Sequence, residues 1–254
     1  MIDIHCHILP GVDDGAKSLD EAIRMAQTAW KDGITDIIAT PHTHNGIYVN
    51  WRDDILHAVE SFQQVLERQH IPIHIHPGAE IHIHEHLLDH LRSAKLATMS
   101  NHVRFLLLEL PFMHLPKFTD DVIASLIEEG VTPIIAHPER IEPLKNRPER
   151  LALWIEQGAI AQVTASSVTR KRNSSVKKRA EQLIREQLIH LVASDGHDNV
   201  NRKVELSHAY AVIEKLSKGA SERFQQNAAA ILRGDTIPFA KPLLTRPKKK
   251  WLLF

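Results

Sequence analysis

Eighteen of the 254 residues are histidines, and several of them stand with carboxylates at spacings that suit metal binding. His5 and His7 are two apart, so on an extended chain they face the same side and can share an ion. The loop after them brings Asp13 and Asp14. Further on come Thr40-Pro41-His42, Gly78-Ala79-Glu80, Leu107-Leu108-Glu109, Ala136-His137-Pro138-Glu139-Arg140 and Ser194-Asp195-Gly196-His197-Asp198. Each group ends a short apolar run, where a charge is costly unless it is paired or metal-bound. Imidazoles and carboxylates without thiolates suit zinc, manganese or iron better than copper or an iron–sulfur cluster, and the imidazoles argue against calcium and magnesium. Five histidines and four carboxylates would exceed what one ion can use, which implies two or three. Cys6, the only cysteine, points opposite to its histidine neighbours and reads as packing; alone, it excludes an internal disulfide and cysteine-based zinc sites.

The elements that carry these residues alternate. Apolar, β-leaning runs near 2–4, 34–39, 72–76, 104–109, 132–136, 160–163 and 189–193 make seven strands with helical patterns between them, the mark of an α/β fold with parallel strands. Ser18 and Glu21 form a capping-box pattern, followed by Leu19, Ala22, Ile23, Ala26, Ala29 and Trp30 on one helix face that ends at Gly33. Trp51, Ile55, Val59, Phe62 and Leu66 mark a second helix to about Arg68, and further helices are predicted from about Thr119 to Gly130 and near 148–157, 175–187, 202–217 and 221–233. Ligand-capable residues at the carboxyl ends of many strands, and no G-x-G-x-x-G after the first, favour a closed barrel over an open dinucleotide-binding sheet. Pro77-Gly78 should break its strand before Glu80, which makes the alternating His74, His76, His82, His84 and His86 a decoy rather than a ligand row.

Composition sets the outer limits. At 43% hydrophobic and 24% charged the chain is globular, read as one domain over 1–240 with a basic, apolar tail at 241–254. Its 31 basic and 31 acidic residues balance, so nothing draws it globally to nucleic acid. The first residues carry no signal-peptide pattern, and a cytoplasmic location is expected. The tail, ending Lys248-Lys249-Lys250-Trp251-Leu252-Leu253-Phe254, is suited to an anionic membrane surface at the inner face or to a protein partner, and the basic run between Arg170 and Arg179 to an acidic one.

Ile2-Asp3-Ile4-His5-Cys6-His7 with Val12-Asp13-Asp14-Gly15-Ala16, then Ile38-Ala39-Thr40-Pro41-His42, Gly78-Ala79-Glu80, Ile135-Ala136-His137-Pro138-Glu139-Arg140 and Val192-Ala193-Ser194-Asp195-Gly196-His197, form a pattern that covers essentially the whole chain. It resembles the polymerase-and-histidinol-phosphatase (PHP) superfamily, and within it the bacterial manganese-dependent protein-tyrosine phosphatases of capsule and exopolysaccharide gene clusters. The resemblance implies a distorted seven-stranded (β/α)7 barrel and three divalent ions, manganese by analogy, with iron or zinc as alternatives. One ion would lie with His5, His7, Glu80 and Asp195, a second with Glu80, Glu109 and His137, and a third with Asp14, His42 and His197. It further implies hydrolysis of phosphotyrosine, in the Tyr-rich tail of a bacterial tyrosine kinase, by metal-activated hydroxide. Arg140 would hold the phosphate, and Asp195 or His197 would assist the leaving group. The alternatives are a small-molecule phosphatase of the histidinol-phosphate kind, a PHP nuclease, or a non-enzymatic scaffold at a membrane or kinase. Two positions depart from the pattern: Thr43-His44-Asn45-Gly46 after His42, where His44 is a candidate for a substrate-facing role, and Gly196 in place of the usual Ala, expected to loosen its turn.

Overall fold

The computed structural model describes residues 1–145, 147–169, 174–238 and 242–243. The basic positions 170–172 and, apart from Pro242 and Leu243, the tail at 241–254 lie outside the described residues.

All strands run parallel. They are β1 (Ile2–Cys6), β2 (Asp36–Ala39), β3 (His42–Thr43), β4 (His74–Pro77), β5 (Glu80–His82), β6 (Phe105–Glu109), β7 (Thr132–Ala136), β8 (Ile160–Thr164) and β9 (Leu191–Ala193). The seven expected strands are all present, and two short ones beyond the expected ranges, β3 and β5, make nine. Thr40-Pro41 separates β2 from β3 and Gly78-Ala79 separates β4 from β5, which divides the wall into one sheet ordered β1-β2-β4 and another ordered β3-β5-β6-β7-β8-β9. The far edges meet through a bridge between Cys6 and Gly196, with His7 N donating to Gly196 O at 2.9 Å and Asp195 N to His5 O at 2.8 Å. The result is the distorted PHP-type barrel.

Ten helices are described: α1 (Leu19–Lys31), α2 (Arg52–Arg68), α3 (Leu87–Arg92), α4 (Thr119–Glu128), α5 (Glu142–Lys145), α6 (Pro148–Gln157), α7 (Ala165–Thr169), α8 (Ser175–Arg185), α9 (Ser207–Leu216) and α10 (Ala220–Arg233). Ser18 caps α1, its Oγ accepting from Glu21 N at 3.3 Å, and Ala22, Met25, Ala26 and Ala29 form the buried face. Leu19 and Trp30, expected on that face, sit at its margins and are exposed, because the arc that meets the barrel wall is centred on Ala22, Met25, Ala26 and Ala29. In α2 the stripe holds at Ile55, Val59, Phe62 and Leu66, while Trp51 precedes the helix at its N-cap. The helix predicted from 202 begins only at Ser207, since Asp198 Oδ1 accepts from the backbone of Val200, Asn201 and Arg202 and winds that segment into a loop.

Two buried layers result. The larger packs the helices against the outside of the wall. The smaller fills the barrel with Ile4, Ile38, Phe105, Leu107, Ile134, Ala136, Leu191 and Ala193, and Ala228 and Ile231 of α10 complete it from the amino-terminal end of the strands.

Candidate metal centre

The inner face of the barrel turns from apolar to charged along each strand. With a period of two, Phe105 and Leu107 lead to Glu109 on β6, Ile160 leads to Gln162 on β8, and Leu191 and Ala193 lead to Asp195 just past β9. On β1 an irregular register between Asp3 and Cys6 lets both His5 and His7 turn inward, where their Nε2 atoms lie 3.1 Å apart. The buried Asp3 secures this end of the strand by accepting from Ser194 N at 2.9 Å and Ser194 Oγ at 2.5 Å.

All nine residues named as candidate ligands converge on this one place. His7, Asp14, His42 and His197 form one group whose ligand atoms lie within 4.8 Å of one another; His5, His7 and Glu80 form a second, and His42, Glu80 and Glu109 a third. His137 joins through its Nε2, 2.8 Å from Glu80 Oε1, and Asp195 Oδ1 lies 3.5 Å from His5 Nε2. Glu80 is the hub, as the resemblance implied, although His42 rather than His137 stands in the group with Glu80 and Glu109. Arg140 Nη1 reaches Asp195 Oδ2 at 2.8 Å. His74, His76 and His114 stay out: His74 and His114 are exposed, and His76 pairs with Asp36 at 2.9 Å.

Supporting residues surround the ligands, one of them, Asp13, already marked in the sequence and the others not. Asp13 Oδ2 lies 2.7 Å from His7 Nδ1 and accepts from His42 N at 2.9 Å, while Gln162 Oε1 is 3.0 Å from His5 Nδ1. His197 Nδ1 lies 3.0 Å from the carbonyl of Asp195. These outward contacts fix each ring and leave its Nε2 lone pair toward the centre, the arrangement metal-binding histidines use. Arg202 Nη2 donates to Asp195 Oδ1 at 2.6 Å, so two guanidinium groups grip that carboxylate. His82, assigned to the decoy, touches Glu109 Oε2 at 3.1 Å through Nδ1. Phe112 lies beside His137, ring centroids 5.4 Å apart, and is partly exposed at the rim. A polar residue inside an apolar strand was a signal for Gln162; Arg202 and Phe112 carried none.

Gly196 does not loosen its turn. A Cβ there would stand 2.7 Å from Val204 Cγ2, and Gly196 N donates to Ser194 Oγ at 3.0 Å, so the missing side chain lets Val204 close over the turn. Buried Cys6 lies 3.6 Å from Gly196 O through Sγ, and burial pushes its thiol up, as a packing residue rather than a nucleophile requires.

Electrostatics define what charge the pocket favours. Burial by itself depresses the imidazoles, but Glu80 and Asp195 raise His5, Asp13 and Glu80 hold His7 up at about 10, and Glu80 raises His42. Burial opposes ionisation of Glu80 and Asp195 too, yet His5 and its neighbours keep both well below the usual carboxylate range. Asp14 is also held low, chiefly by His197. A cluster that draws protons onto buried histidines demands positive charge, and divalent cations supply it in place of those protons. His137 Nδ1 is buried with no hydrogen-bond partner among the described residues, which again fits a ligand set of imidazole and carboxylate.

The family described as "Capsular polysaccharide synthesis, CpsB/CapC" matches residues 1–233. The chain is 36% identical to the tyrosine-protein phosphatase YwqE of Bacillus subtilis, over 100% of its own length and 99% of the relative's, and 31% identical to the putative tyrosine-protein phosphatase CapC of Staphylococcus aureus, over 99% and 98%. A crystal structure from work on YwqE of Bacillus subtilis and CpsB of Streptococcus pneumoniae, described as unique metal-dependent tyrosine phosphatases, superposes with a TM-score of 0.92 at 35% identity, covering 97% of this chain and all (100%) of that one. Fold, site and likeness over the full length agree: the chain belongs to the CpsB/CapC family of PHP-type proteins.

Proposed function

We propose that this centre hydrolyses phosphotyrosine in proteins, and that the chain is a metal-dependent protein-tyrosine phosphatase of the capsule-linked type. The observation that carries this reading is the convergence of five imidazoles and four carboxylates from six strand ends, with Arg140 and Phe112 at the rim. Our assignment is three divalent ions, manganese in the cell, distributed over His5, His7, Glu80 and Asp195; Glu80, Glu109 and His137; and Asp14, His42 and His197. Bound ions would neutralise phosphoryl oxygens and make water acidic enough to furnish a nucleophile at neutral pH.

The chain's own residues do the rest. Arg140 is held by Asp195 at one nitrogen, and the remainder of its fork can engage a phosphate oxygen. Asp195, gripped through both oxygens by Arg140 and Arg202, acts as an acceptor and orienter rather than a proton donor, and His197, with Nδ1 against the Asp195 carbonyl and Nε2 given to the ion, is a ligand rather than an acid, so departure of the phenolate rests on its own low basicity. A phenol with a pKa near 10 needs little such help, which suits an aryl phosphate better than an alkyl one. Phe112 offers an apolar face for the tyrosine ring. A cavity of about 430 Å³ beside the rim is lined by Arg140, Lys145, Lys178 and Arg179 together with Glu139 and Glu142, and it suits an acidic peptide flanking the phosphotyrosine.

The substrate we assign is the tyrosine-phosphorylated tail of a bacterial tyrosine kinase, met in the cytoplasm at the inner face of the membrane, with residues 241–254 as the docking segment and no role for nucleic acid. Protein stripped of metal and reconstituted with manganese should release phosphate from a phosphotyrosine peptide far faster than from histidinol phosphate, and should leave single-stranded DNA intact. Cleavage of DNA without phosphate release from the peptide overturns the assignment.

A further inference from the structure

A second histidine cluster stands outside the centre and shares no residue with it. His44 follows β3, His84 follows β5 and His90 lies on α3, and their ring nitrogens come within 4.8 Å of one another. His44 stacks on His84 with centroids 4.2 Å apart and on His90 at 4.9 Å. We propose that these three residues form a separate metal site that takes a zinc-type divalent ion through imidazole nitrogens alone.

Three features point to an ion rather than to mere ring packing. His84 Nδ1 lies 2.9 Å from the carbonyl of His82, so its N–H donates there and Nε2 keeps its lone pair, turned to His90 Nδ1 at 3.1 Å. A backbone carbonyl behind the ring is the usual support of a metal-bound histidine. His44 Nε2 is buried and has no hydrogen-bond partner among the described residues, an unmet polar atom on the third side of the cluster. The backbone also holds His44 in place: its φ is 59°, a left-handed conformation that non-glycine residues rarely adopt, closed by His44 N donating to Tyr48 O at 2.8 Å.

The ligand set decides the metal. It contains no carboxylate, so it selects zinc-like ions over manganese, calcium or magnesium, the reverse of the oxygen-rich centre nearby. Three imidazoles also leave a fourth tetrahedral position open to water or an anion. The ion would tie the loop after β3, with its exposed Ile47 and Val49, to the exit of β5 and to α3. A rim segment two residues beyond His42 would thereby be fixed, and a positive charge added beside the mouth of the barrel.

The test counts metal and does not depend on activity. Full-length protein is stripped with chelator, loaded with manganese, exposed to zinc, desalted and analysed for both elements, alongside folded His90→Ala and His84→Gln checked by far-UV circular dichroism. The wild type should retain one more zinc per chain than either variant, and zinc should raise its Tm further than theirs. Hydrolysis of p-nitrophenyl phosphate with manganese alone should be unchanged in His90→Ala. Equal zinc content in all three proteins overturns the proposal, whatever the fate of the phosphatase assignment.

Discussion

Asp13 and Asp14 are adjacent and chemically identical, yet the fold gives them different work. Asp14 is half exposed and turns to His42 and His197, whereas Asp13 lies behind His7, taking its ring at 2.7 Å and the His42 backbone N–H at 2.9 Å. A carboxylate behind a metal-binding imidazole fixes the ring and raises its basicity, and its loss typically costs 10 to 100-fold in metal affinity. Asp13→Ala should therefore raise the manganese concentration needed for half-maximal activity by about 10 to 100-fold while leaving the saturated rate less affected. A metal titration of activity checks this, and an unchanged titration curve would make Asp13 a turn residue only. The strand-end histidines and carboxylates were legible because charge after an apolar run is conspicuous in a sequence. Which of two neighbouring aspartates faces inward was not, because loop geometry rather than alternation decides it. Arg202 escaped for a related reason: it reaches Asp195 from a loop wound by Asp198, and nothing in its local sequence marks it.

At the scale of elements, the turn between β1 and α1 makes the site as much as the strands do. Ala16 N donates to His7 O at 3.1 Å and Gly11 N to Ala16 O at 2.8 Å, so residues 11–16 fold back over His7. Gly15 passes so close that a Cβ would stand 2.0 Å from His7 O and 2.5 Å from His7 Cβ. Backbone cannot yield as a flexible side chain can, so Gly15→Ala must displace either the turn or His7. Overpacking of this kind costs about 1–3 kcal/mol, and here it also disturbs a ligand. The variant should melt several degrees lower and require more manganese for activity, as thermal melts and metal titration would read; a wild-type Tm and titration would show that the turn can move freely. Capping and apolar periodicity foretold the long helices, and each of the seven strand ranges is a strand, with only the two- and three-residue β3 and β5 added. Short α3, α5 and α7 went unseen because four to six residues give periodicity too little length to register.

For the molecule as a whole, the histidines that bind nothing still govern when it stays folded. His190, at the start of the path into β9, is buried far from the metal centre, and its Nδ1 accepts from Ala161 N at 3.3 Å. Burial pulls it down from 6.5 to about 4. The native ring is therefore neutral where an unfolded one already takes a proton. The unfolded state binds more protons below about pH 6.5, so stability present above that value is lost as pH falls toward about 4. At 1.36 kcal/mol per pKa unit the loss approaches about 3 kcal/mol by pH 4, a substantial share of a domain's stability. His190→Asn keeps an acceptor for Ala161 N without the titrating ring. Denaturant unfolding of metal-free wild type and variant at pH 7 and pH 4 separates this effect from the centre, whose acid sensitivity both share. The wild type should lose about 3 kcal/mol more than His190→Asn over that interval. Equal losses would mean that the barrel admits the proton at His190 without opening, and that acid unfolds it through its carboxylates instead.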